Sequence, residues 1–174
     1  SGGGETLAGK SLEDLREEYR YWLFDDFLPF MDKYVIDHEY GGFMCNTDRD
    51  GTNLSTGKRA WYEGRGIWVY SFLYNKLSQD PKHLEVARKS VEFIMPHRPQ
   101  PGERWAGSYT REGEPVSGPG DIYANLFIAN GLAEYAQTPG NEQYWDTAKE
   151  ILMDTMRIYD DPGYDYTVGY GPDV

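Results

Sequence analysis

Two stretches of this chain have no polar face, and each is followed by a helix that does. From Gly64 to Asn75 the run GRGIWVYSFLYN carries a single charge, on Arg65. Trp61, Trp68 and Phe72 share one side of a helical wheel, Ile67, Tyr70, Tyr74 and Leu77 another, and Val69 and Leu73 fill between. From Asp121, the natural N-cap, the run IYANLFIANGLA is uncharged until Glu134. A helix that is apolar all round is a buried helix. The segments that follow are one-sided instead. After Asp80-Pro81, the residues Leu84, Ala87, Val91 and Ile94 form a stripe opposite Lys82, Glu85, Arg88, Lys89 and Glu92. After Thr138-Pro139-Gly140, the expected buried side is Trp145, Ala148, Leu152 and Met156.

Each buried helix is also preceded by a glycine-rich hairpin. GGFMCNTDRDGTNLS turns at Asp50-Gly51, and WAGSYTREGEPV turns at Glu112-Gly113. Superposing these turns gives a unit of hairpin, buried helix and amphipathic helix with a period of about 60 residues. Upstream, Ser11 with Asp14 forms a variant capping box for an outer helix whose apolar stripe is Leu12, Leu15, Tyr19, Trp22 and Leu23. Pro29 should kink or interrupt that helix, with a further turn through Tyr34. Alternation of fully apolar with one-sided helices is what a two-layer ring requires, because inner helices touch neighbours all round and outer helices only inward. The fold class expected is all-α: a barrel of helical hairpins with short β-hairpins in its loops. A closed ring of six such hairpins needs about 350 to 400 residues. The expectation is therefore that residues 11–174 form the N-terminal portion of one such domain, with residues 1–10 a flexible leader or tag scar. A small open helical array, complete as it stands, is the alternative.

Composition narrows the partners. With 174 residues, a net charge of −12 and a pI near 4.6, the chain has nothing to neutralise phosphates, so nucleic acid is excluded as a partner. No apolar run approaches the roughly 20 residues a membrane span needs. Cys45 stands alone, which rules out an internal disulfide and a thiolate metal cluster, and it reads as a small filler in the hairpin. Asn46, Asp48 and Asp50 imitate half of a calcium loop, but Gly57 stands where the bidentate acid belongs, so the segment reads as a plain turn and no metal is expected. The pairs Gly64-Arg-Gly66, Gly118-Pro-Gly120 and Gly169-Tyr-Gly171 lack a dinucleotide-loop context, and Gly64 and Gly66 would let a helix start approach a neighbour or a ligand closely. His38, His83 and His97 all lie off the inner helices and read as surface residues.

What remains is the mouth of the ring. A guanidinium on a buried helix must be paired, face a wet cavity or bind something, since an unpaired buried charge costs several kcal/mol or more. Arg65 and Tyr123 occupy equivalent ends of the two inner helices, with Glu63, Asp121 and Asn125 within a turn. An internal Arg–carboxylate pair and a core tyrosine remain open alternatives.

These residues also carry a family likeness. Gly41-Gly-Phe43, the turn Asp48 to Gly51, Lys58 and Trp61-Tyr-Glu-Gly-Arg65-x-x-Trp68, followed by REGEPV from Arg111 and DIYANLFIANGLAEYA from Asp121, resemble the N-acylglucosamine 2-epimerase family, with its cellobiose 2-epimerases and aldose-ketose isomerases. The resemblance runs from about Leu12 to Tyr159 and implies an (α/α)6 barrel. It also implies proton abstraction at C2 of an open-chain sugar to an enediolate, with Arg65 on the sugar oxygens, Tyr123 lining the pocket and Trp68 matched as a further candidate contact. Asn125 is a candidate contact by its position beside Tyr123. No cofactor is implied. The family's paired catalytic histidines come from later inner helices, and nothing here corresponds to them.

The expected function is thus that of a sugar 2-epimerase or isomerase truncated before its acid and base. The alternatives are an (α/α) barrel glycoside hydrolase using Glu63 or Asp121, and a non-catalytic carbohydrate-binding module. The expected partner is a mono- or disaccharide substrate, with a homodimer left open. The cytoplasm is favoured as compartment, while the glycine-rich start also suits an envelope lipoprotein.

Overall fold

The computed structural model describes residue 4 and residues 6–164. The Gly169-Tyr-Gly171 pair and the expected terminal loop beyond residue 164 lie outside the described residues. Strands β1 (Thr6–Leu7) and β2 (Lys10–Ser11) pair as a minimal antiparallel hairpin, Thr6 opposite Ser11. Ser11 then caps helix α1 (Leu12–Tyr21). Its hydroxyl accepts the Asp14 N–H at 3.1 Å and the Asp14 carboxylate accepts the Ser11 N–H at 3.4 Å, so two otherwise orphaned donors are satisfied reciprocally.

Pro29 does not end this helix. The chain passes through widened turns at Trp22–Phe27, the short helix α2 (Leu28–Phe30) and further widened turns at Met31–Val35. On either side of the proline the hydrogen bonds shift to a five-residue span, Leu28 N–H to Leu23 C=O and Ile36 N–H to Met31 C=O. The wider ladder absorbs the missing N–H and the ring that would break a regular one.

Both expected turns are present. Asp48 N–H bonds Thr52 C=O at 2.8 Å around Gly51 at φ +91°, a left-handed position that favours glycine. Thr110 N–H bonds Glu114 C=O at 2.8 Å around Gly113. The Asp50 carboxylate accepts the Thr52 N–H at 2.9 Å, which stiffens the first turn. The turn segments are then stitched together: β3 (Lys58–Arg59) pairs antiparallel with β4 (Ser108–Tyr109), Lys58 opposite Tyr109. One repeat's hairpin is thereby tied to the next.

The inner layer is α3 (Ala60–Phe72, prolonged by widened turns at Leu73–Ser78) and α5 (Ile122–Tyr135). The outer layer is α4 (Pro81–Ile94) and α6 (Tyr144–Asp160). Helix α3 packs on both α4 and α5, and α5 on α6. Asp80 and Asp121 cap α4 and α5, accepting N–H bonds from Lys82 at 2.9 Å and Tyr123 at 2.8 Å. Ala60, Ile67, Ile94, Ile128 and Leu132 are fully enclosed between the layers.

Three faces depart from expectation. In α6 the side turned to α5 is Ala148, Ile151 and Thr155, whereas Trp145, Leu152 and Met156 are exposed together with Met153. The helix carries apolar residues on two faces, and the one through Ala148 and Ile151 is packed against α5. In α1 no residue is buried, and Leu12, Tyr19 and Trp22 of the expected stripe are exposed. The third is α3 itself, which does have an open face. Cys45, expected as a filler, is also exposed.

Candidate active site

Helices α3 and α5 meet backbone to backbone. A Cβ on Gly131 would lie 2.4 Å from the carbonyl oxygen of Gly64, and a Cβ on Gly64 would lie 2.5 Å from the backbone nitrogen of Ile128. On the other side of Arg65, a Cβ on Gly66 would lie 2.0 Å from the ring of Phe43. Arg65 thus sits between two glycines, each of which lets a different neighbour reach the helix backbone. Its rotation about the helix axis is fixed by that packing.

The rotation turns one stripe of each inner helix away from the packed interior. On α3 the stripe runs Trp61, Arg65, Trp68, Phe72, and on α5 it runs Tyr123, Phe127, Asn130 at the same helical spacing. Arg65, Tyr123 and Asn130 are exposed, and the remaining aromatics are half-buried. Arg65 has no carboxylate partner among the described residues. Its guanidinium lies 5.8 Å from the ring centroid of Trp61 and 5.5 Å from that of Phe127, within cation–π range of both. Trp61 and Phe127 also approach each other, at 5.9 Å. A cation steadied by two rings keeps its N–H groups free for an incoming oxygen.

Trp61, Tyr123 and Phe127 continue into a cavity of about 620 Å³ under the β3–β4 pair, bounded also by Arg59, Ser108, Ser117 and Asp121. The structure therefore brings Arg65 and Tyr123 to one surface. Trp68 lies on the same stripe of α3 as Arg65, stacked on Phe72 at 4.9 Å and 14°. Asn125 is not brought there. It lies on the opposite side of α5, 2% exposed, where its side-chain oxygen accepts the Trp105 N–H at 3.2 Å and its amide donates to Glu103 C=O at 3.4 Å. That amide fixes the segment leading into β4.

The carboxylates near the mouth are committed. Glu63 is fully enclosed, accepting the Phe43 N–H at 2.9 Å and the Ser90 hydroxyl at 2.6 Å. Burial pushes its pKa up to about 7 against the lowering effect of those two bonds. A Cβ on Gly42 would meet the Glu63 carboxylate at 2.6 Å, so Gly42 is what gives it room. Asp121 spends one oxygen on the α5 cap.

A second charged group was not anticipated from the sequence. Asp37 accepts from Lys58 Nζ at 2.9 Å and from Arg111 Nε and Nη2 at 2.8 and 3.1 Å. Lys58 also donates to the carbonyls of Gly41 at 2.6 Å and Arg111 at 2.7 Å. Burial opposes ionisation of Asp37, but the bonds from Arg111 and Lys58 prevail and hold it well below the usual carboxylate range. This cluster locks the end of the first outer helix to both hairpins. The sequence carried one sign of it, Lys58, which immediately precedes the inner helix with Arg59. The histidines are elsewhere: His38 exposed beside Asp32, His83 against Phe24 and Tyr70, and His97 against Tyr109 and Phe93.

Fold and inner face together define a chain of the (α/α)6 barrel class, and cellobiose 2-epimerase from Bacillus thermoamylovorans matches it with a TM-score of 0.72 at 24% identity, over 82% of this chain and 37% of that one. A model of the family described as N-acylglucosamine 2-epimerase (GlcNAc 2-epimerase) matches residues 41–166. The chain belongs to the N-acylglucosamine 2-epimerase family. N-acylglucosamine 2-epimerase of Mus musculus is 27% identical over 162 residues, 87% of this chain and 39% of that protein. Cellobiose 2-epimerase of Bacteroides fragilis is 28% identical over 153 residues, 86% of this chain and 36% of that protein. The chain thus spans less than two-fifths of the length of these relatives.

Proposed function

We propose that this chain supplies one wall of the sugar site in a 2-epimerase or aldose-ketose isomerase, with Arg65 holding the oxygens on which negative charge develops when C2 loses its proton. The observation that carries this reading is the exposed guanidinium of Arg65, unpaired with any carboxylate among the described residues and braced by Trp61 and Phe127. A preorganised cation facing a developing enediolate lowers the barrier because it needs no reorganisation as charge appears. Tyr123, on the equivalent end of α5, lies beside the sugar in this reading, and Trp68 adds apolar surface one turn deeper.

Acid and base come from further inner helices that complete the ring. His38, His83 and His97 all lie off the α3–α5 face. The exposed apolar sides of α1 and α6 are the edges that such hairpins cover. Proton transfer needs both groups within hydrogen-bond reach of C2, so the 174-residue chain alone turns nothing over. Glu63 is unsuited to the acid or base role of a glycosidase because both its oxygens are occupied inside the core. The reading is tested in deuterated water, with a protein of the relatives' length that carries this chain. Deuterium appearing at C2 of the sugar supports it. Glycoside cleavage without exchange identifies a hydrolase, and saturable sugar binding with neither identifies a binding module.

A further inference from the structure

The two inner helices are held from behind in the same way. On α3, Glu63 accepts the backbone N–H of Phe43 at 2.9 Å, and on α5, Asn125 accepts the backbone N–H of Trp105 at 3.2 Å. In both bonds the donor lies 20 residues before the acceptor. Phe43 and Trp105 thus occupy equivalent places at the starts of the two hairpins, and Glu63 and Asn125 equivalent places on the two helices, in the repeat of about 60 residues. Phe43, Trp105, Glu63 and Asn125 are all enclosed, at 2%, 1%, 0% and 2% exposure. A backbone N–H so enclosed needs a partner, and here the inner helix supplies it. Each acceptor is itself tied down: the Ser90 hydroxyl of α4 donates to Glu63 at 2.6 Å, and the Asn125 amide donates to Glu103 C=O at 3.4 Å.

A helix turns by about 100° per residue, so side chains two positions before and two after a given residue point to nearly the opposite side. Trp61 and Arg65 stand in that relation to Glu63, and Tyr123 and Phe127 to Asn125. These are the side chains that meet in front. The Arg65 guanidinium lies 5.8 Å from the Trp61 ring and 5.5 Å from the Phe127 ring, and Trp61, Tyr123 and Phe127 border one cavity. The bonds at Glu63 and Asn125 secure from behind the rotation that the glycine contacts between α3 and α5 allow.

We infer that Glu63 and Asn125 are positioning residues, Glu63 aiming Arg65 and Asn125 aiming Tyr123 at a ligand in the mouth of the ring. The role needs an acceptor oxygen at the correct reach and no charge, since an amide serves it on α5 where a carboxyl serves it on α3. Its consequence for turnover rests on the sugar-site reading of Arg65 given above, whereas the aiming itself does not.

The test uses a protein of the relatives' length that carries this chain, with Glu63→Leu, Glu63→Gln, Asn125→Leu and, as a control, Ile151→Ala, which empties core space on α6 away from both bonds. One readout is the NMR signal of the Arg65 side-chain Nε–H, assigned by its loss in Arg65→Lys and displaced by the ring currents of Trp61 and Phe127. The other is the kinetics of deuterium exchange at C2 of the sugar, measured below the melting temperature of every variant. Glu63→Leu should move the Arg65 signal toward that of a free arginine and lower kcat at least about tenfold with KM within about twofold. Asn125→Leu should raise KM about threefold or more at near-native kcat. Glu63→Gln should keep the native signal and kcat, and so should Ile151→Ala although it melts earlier. Glu63→Asp, whose shorter arm draws back from the Phe43 N–H, replaces Glu63→Leu if the latter does not fold. A native Arg65 signal in the folded Leu or Asp variant overturns the inference, as does an equal displacement in Ile151→Ala, which marks general loosening. A native KM in folded Asn125→Leu overturns the assignment of Asn125. Displacement of the signal by Glu63→Leu in a protein that exchanges no deuterium at C2 leaves the aiming of Arg65 standing and overturns the sugar reading.

Discussion

The carbonyl oxygen of Gly64 occupies the space a side chain on Gly131 would need, 2.4 Å from the position of its Cβ. Together with the approach of Gly64 to the Ile128 backbone, this contact limits the separation of the two inner helices. Arg65 is the next residue, so it also sets where the guanidinium points.

Gly131→Ala should therefore force α3 and α5 apart and destabilise the fold by about 1–3 kcal/mol, the usual cost of overpacking a close-packed interface. Gly118→Ala is the control. A Cβ there meets nothing within 4 Å, and its cost should stay within about 0.5 kcal/mol. Urea denaturation of the two variants in parallel measures both.

Lys58→Met removes one of the two cations that neutralise buried Asp37. Breaking a buried pair leaves an undercompensated charge, and a loss of about 3–5 kcal/mol is expected. The double variant Lys58→Met with Asp37→Leu should recover part of that loss, because no buried charge is then stranded. Equal stability of single and double variants would show that Lys58 acts through packing alone.

Glu63 gives stability a pH dependence of predictable sign. Its folded pKa is raised by burial from 4.5 to about 7, so between these values the folded chain holds a proton that the unfolded chain has released. Stability from this group is fully present below pH 4.5, declines as pH rises and is lost above about 7. Glu63→Gln, which stays neutral and keeps an acceptor for the Phe43 N–H, should flatten denaturation midpoints across that window. An unchanged slope would place the dependence on another group.

The exposed apolar sides of α1 and α6 predict self-association of the isolated chain. Trp145 and Met156 are 53% and 45% exposed, so replacing both by Glu should leave the melting temperature nearly unchanged while lowering the sedimentation-derived mass at high concentration. A protein that is monomeric at all concentrations before substitution would contradict this.

Much of the architecture was legible because it follows from periodicity and punctuation. The apolar runs after Arg65 and Asp121 mark the inner helices, Asp80-Pro81 and Ser11 mark the starts of two outer ones, and the two hairpin turns mark the repeat. What was not legible depended on neighbours. The side of α6 that packs against α5 runs through Ala148 and Ile151, whereas hydrophobicity alone favoured Trp145 and Leu152. Asn125 lies within a turn of Tyr123 in sequence, yet helical rotation carries it to the opposite side, into a bond with Trp105. Arg65 was visible as an anomaly, but its exposure depends on Gly64, Gly66 and Gly131 together, a relation no local pattern encodes. Asp37, in a loop among other acidic residues, carried no local mark of the two cations it would hold.

On the proposed reading Arg65 faces a sugar and carries no structural load. The decisive measurement is Arg65→Ala in a protein of the relatives' length that carries this chain, read by its melting temperature and by deuterium incorporation at C2 of the sugar. An almost unchanged melting temperature is expected, with exchange reduced by at least about 100-fold, the scale expected for loss of a charge-stabilising donor. Unfolding of the variant, or a folded variant that exchanges C2 at the native rate, would contradict it.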